Sequence, residues 1–409
     1  MSEPLAILGG VPLRRDPWPE WPEHGAPERD ALERVLESRQ WGGFPSPNTE
    51  ARAFSEEFAR YVGARFAVTC ANGTVSLTLA LQAARLSRGA EVITTAYSFV
   101  GTAGGIVAAG GVPVPVDVLP ETYCIDPAAV ESAITERTEA VMPVHLACAM
   151  ADMDRLQEIC RRRGLVLIED CAHAHGMQWR GRGAGSIGDF GSFSMQSSKL
   201  LTAGEGGCVT TSDERSEGRL QALVNCGRRE TPRAREVEPM LGHNLRMTEW
   251  QAALLREQLR RLPEQQERRR RNVAHFLEQI RNVPGLDTPP ADARISAPTY
   301  YQLILRYRPE AFCGAPRDAV VLALKAEGVP CSGRFYVPLN EDPLFALDER
   351  TNPAARARDY TAARFPVARR AAYDESIWLP HTLFLGGERE LQDLVAAFAK
   401  VQAHAAALR

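Results

Sequence analysis

The chain has 409 residues, 44% hydrophobic and 24% charged, with a formal net charge of −3. That length exceeds one simple core and predicts two domains, while the slight acidity excludes a broad basic surface for nucleic acid. The nine cysteines are scattered without a C-x-x-C pair, which predicts reduced thiols in a cytoplasmic protein, with neither a disulfide framework nor a metal site.

Residues 1–26 read as an N-terminal extended segment. Pro17-Trp18-Pro19-Glu20-Trp21-Pro22 cannot form a regular helix or a central strand, so the segment is expected to lie across a surface or a partner subunit. It carries no basic-then-apolar leader, and no apolar run in the chain approaches the roughly 20 residues of a membrane helix. Helices are predicted over 28–38 and 48–62. From residue 66 short apolar runs alternate with helical stretches. Strands are expected at 66–69, 91–95, 112–116, 140–144 and 165–168, with helices at 74–84, 101–109, 126–134 and 153–163. Runs without in/out alternation are buried on both faces, so the pattern predicts a largely parallel sheet covered on both sides. Ligands on such sheets gather at the C-terminal ends of the strands. Further strands are expected at 190–194 and 208–211. A large domain over 27–260 then gives way, through a helix over roughly 248–281, to a small C-terminal α/β domain within 261–409.

Lysine usage singles out one residue. Lys and Arg total 48, yet only Lys199, Lys325 and Lys400 are lysines. A desolvated amine can shed its proton and attack a carbonyl, which a guanidinium cannot do. Lys199 lies in Ser194-Met195-Gln196-Ser197-Ser198-Lys199, before Gly204-Glu205-Gly206-Gly207. It is therefore a nucleophile candidate, the plain alternative being a surface lysine. Asp170 ends the run Leu165-Val166-Leu167-Ile168-Glu169-Asp170, where a buried carboxylate needs a cation unless it only caps the next loop. His173 could bond a phenolate oxygen or be structural. Gly73 and Thr74 open a helix after a strand, which suits either a phosphate or an ordinary N-cap. Ser194 offers a second hydroxyl, and Phe99 a ring for stacking or for the core. Together these supply an amine, a pyridinium partner, a phosphate cradle and a stacking ring, the needs of pyridoxal 5′-phosphate.

In the order Asn72-Gly73-Thr74, Pro143-Val144-His145-Leu146, Glu169-Asp170-Cys171-Ala172-His173, Ser194 to Gly207 and Gly242-His243-Asn244-Leu245-Arg246-Met247, the chain resembles the DegT/DnrJ/EryC1/StrS aminotransferases. The resemblance runs from about residue 5 to the C-terminus. Trp18 to Pro22, Thr122 to Asp126 and Thr299-Tyr300-Tyr301 are similar to the glutamine:scyllo-inosose and 2-deoxy-scyllo-inosose branch. It implies a fold-type I transferase that moves an amino group by a ping-pong route from L-glutamine or L-glutamate to a ketone of a cyclitol or sugar. Lys199 would hold the cofactor and shuttle the proton, Asp170 would pair with the ring nitrogen, and His173 would approach the ring hydroxyl. Gly73, Thr74 and Ser194 would bind phosphate, Phe99 would stack on the ring, and Asn244 would reach the phosphate of a neighbouring subunit in a homodimer. The resemblance also covers 3-amino-5-hydroxybenzoate-type synthases and nucleotide-linked keto-hexose aminotransferases. The presence of Lys199, Asp170 and Ser194 argues against a regulator that only keeps the fold. The sequence departs from the family pattern at Leu146-Ala147-Cys148-Ala149, near the substrate.

Overall fold

Pro27 sits in the first turn of α1 (Ala26–Ser38), where its missing N–H leaves no bond unmade, and the Glu28 carboxylate folds back onto the Gly25 N–H at 2.7 Å. In the computed structural model, residues 3–345, 347, 350, 352–353, 360 and 364–409 are described. Next come α2 (Thr49–Val62), β1 (Phe66–Cys70), α3 (Gly73–Ala83), β2 (Glu91–Thr95), α4 (Gly101–Ala108), β3 (Val112–Val116), α5 (Pro127–Ala133), β4 (Thr138–Met142), α6 (Met153–Arg163) and β5 (Val166–Asp170). A small ribbon of β6 (Gln178–Trp179) and β7 (Arg182–Gly183) precedes β8 (Phe190–Ser194) and β9 (Gly207–Thr211). The large sheet has seven strands in the order β1-β9-β8-β5-β4-β2-β3. Only β9 runs antiparallel to its neighbours, so the sheet is mixed but mostly parallel, as the alternation of apolar runs and helices predicts. All residues of β2, β3, β8 and β9 are buried, which explains their lack of polar alternation.

Several elements depart from the sequence reading: the β6-β7 ribbon is not anticipated, and β5 ends two residues beyond the strand expected at 165–168. The strand expected at 140–144 is β4, two residues earlier. Pro143 has no N–H for the ladder, and beyond it Val144 makes only an isolated bridge to Asp170. Helix α7 (Glu214–Val224) was not anticipated, although Asp213 caps it by accepting the Ser216 N–H at 2.7 Å. The short α8 (Pro232–Glu236) follows, and then α9 (Glu249–Ile280), which starts in a capping box between Thr248 and Gln251.

The C-terminal half of α9 enters a second core. Val273, Phe276 and Ile280 pack there with Leu303 and Leu305 of β12 (Gln302–Tyr307) and with Ile377 and Leu379 of β13 (Ser376–Pro380). The antiparallel sheet β10-β12-β13 begins at β10 (Leu286–Asp287), while β11 (Ile295–Ala297) joins the β6-β7 ribbon. Helices α10 (Arg317–Ala326), α11 (Pro366–Arg370) and α12 (Glu388–Ala403) complete this half.

The Pro/Trp-rich segment lies on the C-terminal half of its own chain. Leu5 is buried in the second core, and the Glu327 carboxylate accepts the N–H groups of Ala6 and Leu13 at 2.8 and 3.0 Å and the Lys400 ammonium at 2.9 Å. Arg14 pairs with Glu390 and Asp393, and Trp18 Nε1 donates to the Gly328 carbonyl at 2.7 Å.

Candidate active site

Strand β5 delivers Asp170 to the C-terminal edge of the sheet with only 4% of its surface exposed. Its Oδ2 accepts the Thr102 hydroxyl at 2.9 Å and its Oδ1 accepts the Ala172 N–H at 3.1 Å. Burial pushes the carboxyl above its ordinary value, against the pull of those two bonds and of the Lys199 charge. Among the described residues its oxygens have no cation within ion-pair distance. A buried carboxylate arranged in this way calls for a cation from outside the chain.

Lys199 ends a turn in which its N–H donates to the Gln196 carbonyl at 2.9 Å. The side chain is half-buried. Desolvation lowers its amine from 10.5 to about 8, and Asp170 only partly offsets that fall. The amine lies over the Tyr301 ring, 4.4 Å from the centroid.

The lysine loop is held from outside the large sheet. Trp21 Nε1 donates to the Ser197 carbonyl at 3.1 Å. His381 Nε2 lies 3.2 Å from the Ser198 carbonyl and must donate, which makes its Nδ1 the acceptor of the Arg269 guanidinium at 3.1 Å. Trp21 sits edge-on to His381 with ring centroids 4.7 Å apart, and Arg269 lies over its ring. The N-terminal segment and the turn after β13 therefore both reach the backbone that presents Lys199, and Arg269 of α9 backs the two side chains that do so.

His173 is buried, and burial holds its imidazole well below the ordinary value, hence neutral. Its Nδ1 accepts the Ala147 N–H at 3.2 Å, so Nε2 carries the hydrogen and donates it to the Tyr336 oxygen at 3.1 Å. His173 thus faces Tyr336 before it can face any ligand hydroxyl.

Gly73 begins α3 against the end of β8. A Cβ there would meet the Ser194 side chain at 2.4 Å, so only glycine lets the helix start reach Ser194. Asn72 rather than Thr74 takes the cap, accepting the Val75 N–H at 3.0 Å. The exposed Thr74 is therefore not needed as a cap. Phe99 is 53% exposed, and its ring packs beside Gly101, whose own Cβ position also abuts Thr74. Gly73, Thr74, Ser194 and Phe99 thus gather at one edge of the sheet. Asn244 stands apart from them, exposed and bridged through its backbone to Asn225.

Sequence reasoning missed Thr102 and Tyr336. Each lies far along the chain from the residues it serves, and neither sits in a motif. His145, Glu169 and Cys171 cluster closely enough to suggest metal ligands. The Glu169 carboxylate, however, already accepts the N–H groups of Gly185, Ile187 and Gly188 and faces His145 at 3.0 Å. With its lone pairs engaged, it ties a loop rather than offering itself to an ion.

A mostly parallel sheet with an amine-bearing loop and an unpaired carboxylate at its C-terminal edge is the chassis of an aminotransferase. Residues 22–398 match the model of the DegT/DnrJ/EryC1/StrS aminotransferase family, and the chain belongs to that family. It is 45% identical over 420 residues, covering 100% of both chains, to a protein of Streptoalloteichus tenebrarius that carries the provisional name L-glutamine:3-amino-2,3-dideoxy-scyllo-inosose aminotransferase. It is 42% identical over 422 residues, 99% of each chain, to the L-glutamine:2-deoxy-scyllo-inosose aminotransferase of the same organism. The crystal structure of 3-amino-5-hydroxybenzoic acid synthase superposes with a TM-score of 0.84 at 34% identity, covering 96% of this chain and 100% of that one.

The packing of Gly73 on Ser194 gives a direct check. Gly73→Ala lowers stability by about 1–3 kcal/mol through overpacking, read as an earlier denaturant midpoint. Adding Ser194→Gly recovers part of the loss. An unshifted midpoint for Gly73→Ala contradicts the close approach.

Proposed function

We propose that this enzyme transfers the amino group of L-glutamine, or of L-glutamate, to the ketone of a deoxy-scyllo-inosose-type cyclitol in aminoglycoside biosynthesis, with pyridoxal 5′-phosphate as cofactor. The observation that carries the reading is a buried carboxylate, without a cation partner among the described residues, at the sheet edge that the amine of Lys199 also approaches. The full-length similarity to two inosose aminotransferases supports the choice of substrate and donor.

The residues fit the cofactor. Lys199 would hold its aldehyde carbon, Asp170 its ring nitrogen, Phe99 one ring face, and Gly73, Thr74 and Ser194 its phosphate, while His173 would meet its ring hydroxyl only by giving up its bond to Tyr336. Asn244 of a second copy would complete the phosphate site in a homodimer. The bound cofactor supplies a carbonyl carbon and an electron sink for the donor's α-carbon. The protein supplies the rest. Lys199, once free, takes the proton from the α-carbon and later gives it back. Burial leaves about half of that amine neutral near pH 8, so the donor step speeds up as pH rises through about 8 and levels about one unit above it, read in a single-turnover pH profile. Asp170 stabilises positive charge at the ring nitrogen. Tyr336 and Ala147 fix the tautomer of His173. The nine unpaired thiols support a reducing, cytoplasmic compartment.

The likeness to 3-amino-5-hydroxybenzoic acid synthase favours a second reading, a dehydrating and aromatising synthase built on the same lysine. Loading the protein with pyridoxamine 5′-phosphate and offering single ketones separates the two. Return of the visible cofactor band with 2-deoxy-scyllo-inosose or its 3-amino derivative is expected. Band return only with nucleotide-linked keto-hexoses overturns the cyclitol reading, and so does silence with both cyclitols while the pyridoxal-loaded protein turns aminodehydroshikimate into an aromatic product with loss of water. For the shared site, a mixed dimer of Lys199→Ala and Asn244→Ala chains regains activity that neither variant has alone. No recovery in a confirmed mixed dimer contradicts the role of Asn244.

A further inference from the structure

We propose that Tyr301 is a positioning residue for Lys199, its ring face being the seat that the lysine ammonium occupies once the amine has been freed and has taken up a proton. The place of this seat in the reaction rests on the transamination reading above; its existence rests on geometry. The Lys199 Nζ lies 4.4 Å from the Tyr301 ring centroid, inside the roughly 6 Å over which a ring face attracts a cation.

The seat is built independently of the lysine. Tyr301 is 3% exposed. The His173 imidazole stacks on it with centroids 4.2 Å apart and planes 27° apart. Its hydroxyl lies 2.9 Å from Ser198 Oγ, on the residue just before Lys199. Its N–H donates to the Ala147 carbonyl, and its carbonyl accepts the His381 N–H, each at 3.2 Å. The ring would stand where it does without any contact to the amine.

The charges around Lys199 leave room for such a seat. Asp170 is the carboxylate that acts on it. His173, His175 and His381 all feel the lysine charge, and burial keeps each of them neutral, so none repels an ammonium. Burial also raises the phenols of Tyr301 and Tyr336, which therefore offer ring faces and hydroxyls rather than negative charge. When Asp170 is engaged by a cofactor ring nitrogen, the Tyr301 face is what remains for the ammonium. A carboxylate in that position would hold the proton too firmly for its return. A neutral ring stabilises the ammonium by only about one pKa unit. The proton balance is simple: the amine gains a proton from the donor's α-carbon as an ammonium and surrenders the same proton afterwards.

The chain's scarcity of lysine makes the test clean. Protein labelled at lysine 13Cε and freed of cofactor gives signals from Lys199, Lys325 and Lys400 alone. Tyr301→Phe keeps the face, and the Lys199 pKa stays within about 0.3 unit of the parent. Tyr301→Leu removes it, and the pKa falls by about one unit. Unchanged Lys325 and Lys400 signals report an intact fold. Should the leucine variant not fold, fluorinated phenylalanines at 301 weaken the face without changing its shape, and the pKa falls stepwise. An unshifted pKa in Tyr301→Leu, a flat fluorination series, or a Phe variant that shifts as far as Leu overturns the seat. None of these outcomes touches the transamination reading, which fails separately if the parent chain shows neither the visible cofactor band nor turnover.

Discussion

The loss of water around the buried Asp170 and the half-buried Lys199 at one end of the large sheet sets the terms for everything around them. Each group is pushed towards its neutral form by the loss of water, and each is partly restored by the other. Neither is closed into an ordinary ion pair. The outcome is an amine lowered to about 8 and a carboxylate short of a cation among the described residues. Both are poor choices for stability, since a buried charge without a partner destabilises a fold. They are good choices for chemistry that needs a nucleophile, a proton carrier and an anchor for a cationic ring.

The rest of the fold holds that strained pair in place. Thr102 and the Ala172 N–H fix the direction of the carboxylate. Glu169, one residue earlier, gathers the loop from Gly185 to Gly188 beneath it. The lysine loop is gripped at two successive carbonyls, by Trp21 from the N-terminal segment and by His381 beside β13. Glu327 in turn fastens the N-terminal segment to the second core. A change at any of these positions acts on Lys199 through the backbone without touching it.

Much of the scaffold could be read from the sequence, because buried strands and amphipathic helices leave periodic signals. The shift of β4 came from one proline, and α7 was signalled only by its Asp213 cap. At the site, Lys199 and Asp170 announced themselves, one by scarcity and the other by a charge at the end of an apolar run. Thr102, Tyr336 and the clamp on the lysine loop did not. Their contacts join residues far apart in the chain, 163 positions in the case of Tyr336 and His173, and no local pattern encodes such a contact. The Thr299-Tyr300-Tyr301 run was legible only as a family likeness, and its chemical meaning came from the geometry of Lys199 over the ring. The Leu146 to Ala149 segment supplies the N–H that fixes His173. The same segment lines a cavity of about 220 Å³ with Tyr123, Ile304 and Arg306.

The central claim is that Lys199 is the amine that holds the cofactor. Borohydride reduction of the protein purified with its cofactor, followed by digestion and mass spectrometry, tests it most directly. With only three lysines in the chain, the assignment is unambiguous. The account predicts a reduced pyridoxyl group on the peptide containing Lys199 and on no other. A label on Lys325 or Lys400, or a cofactor that stays bound yet cannot be fixed to any lysine, contradicts it.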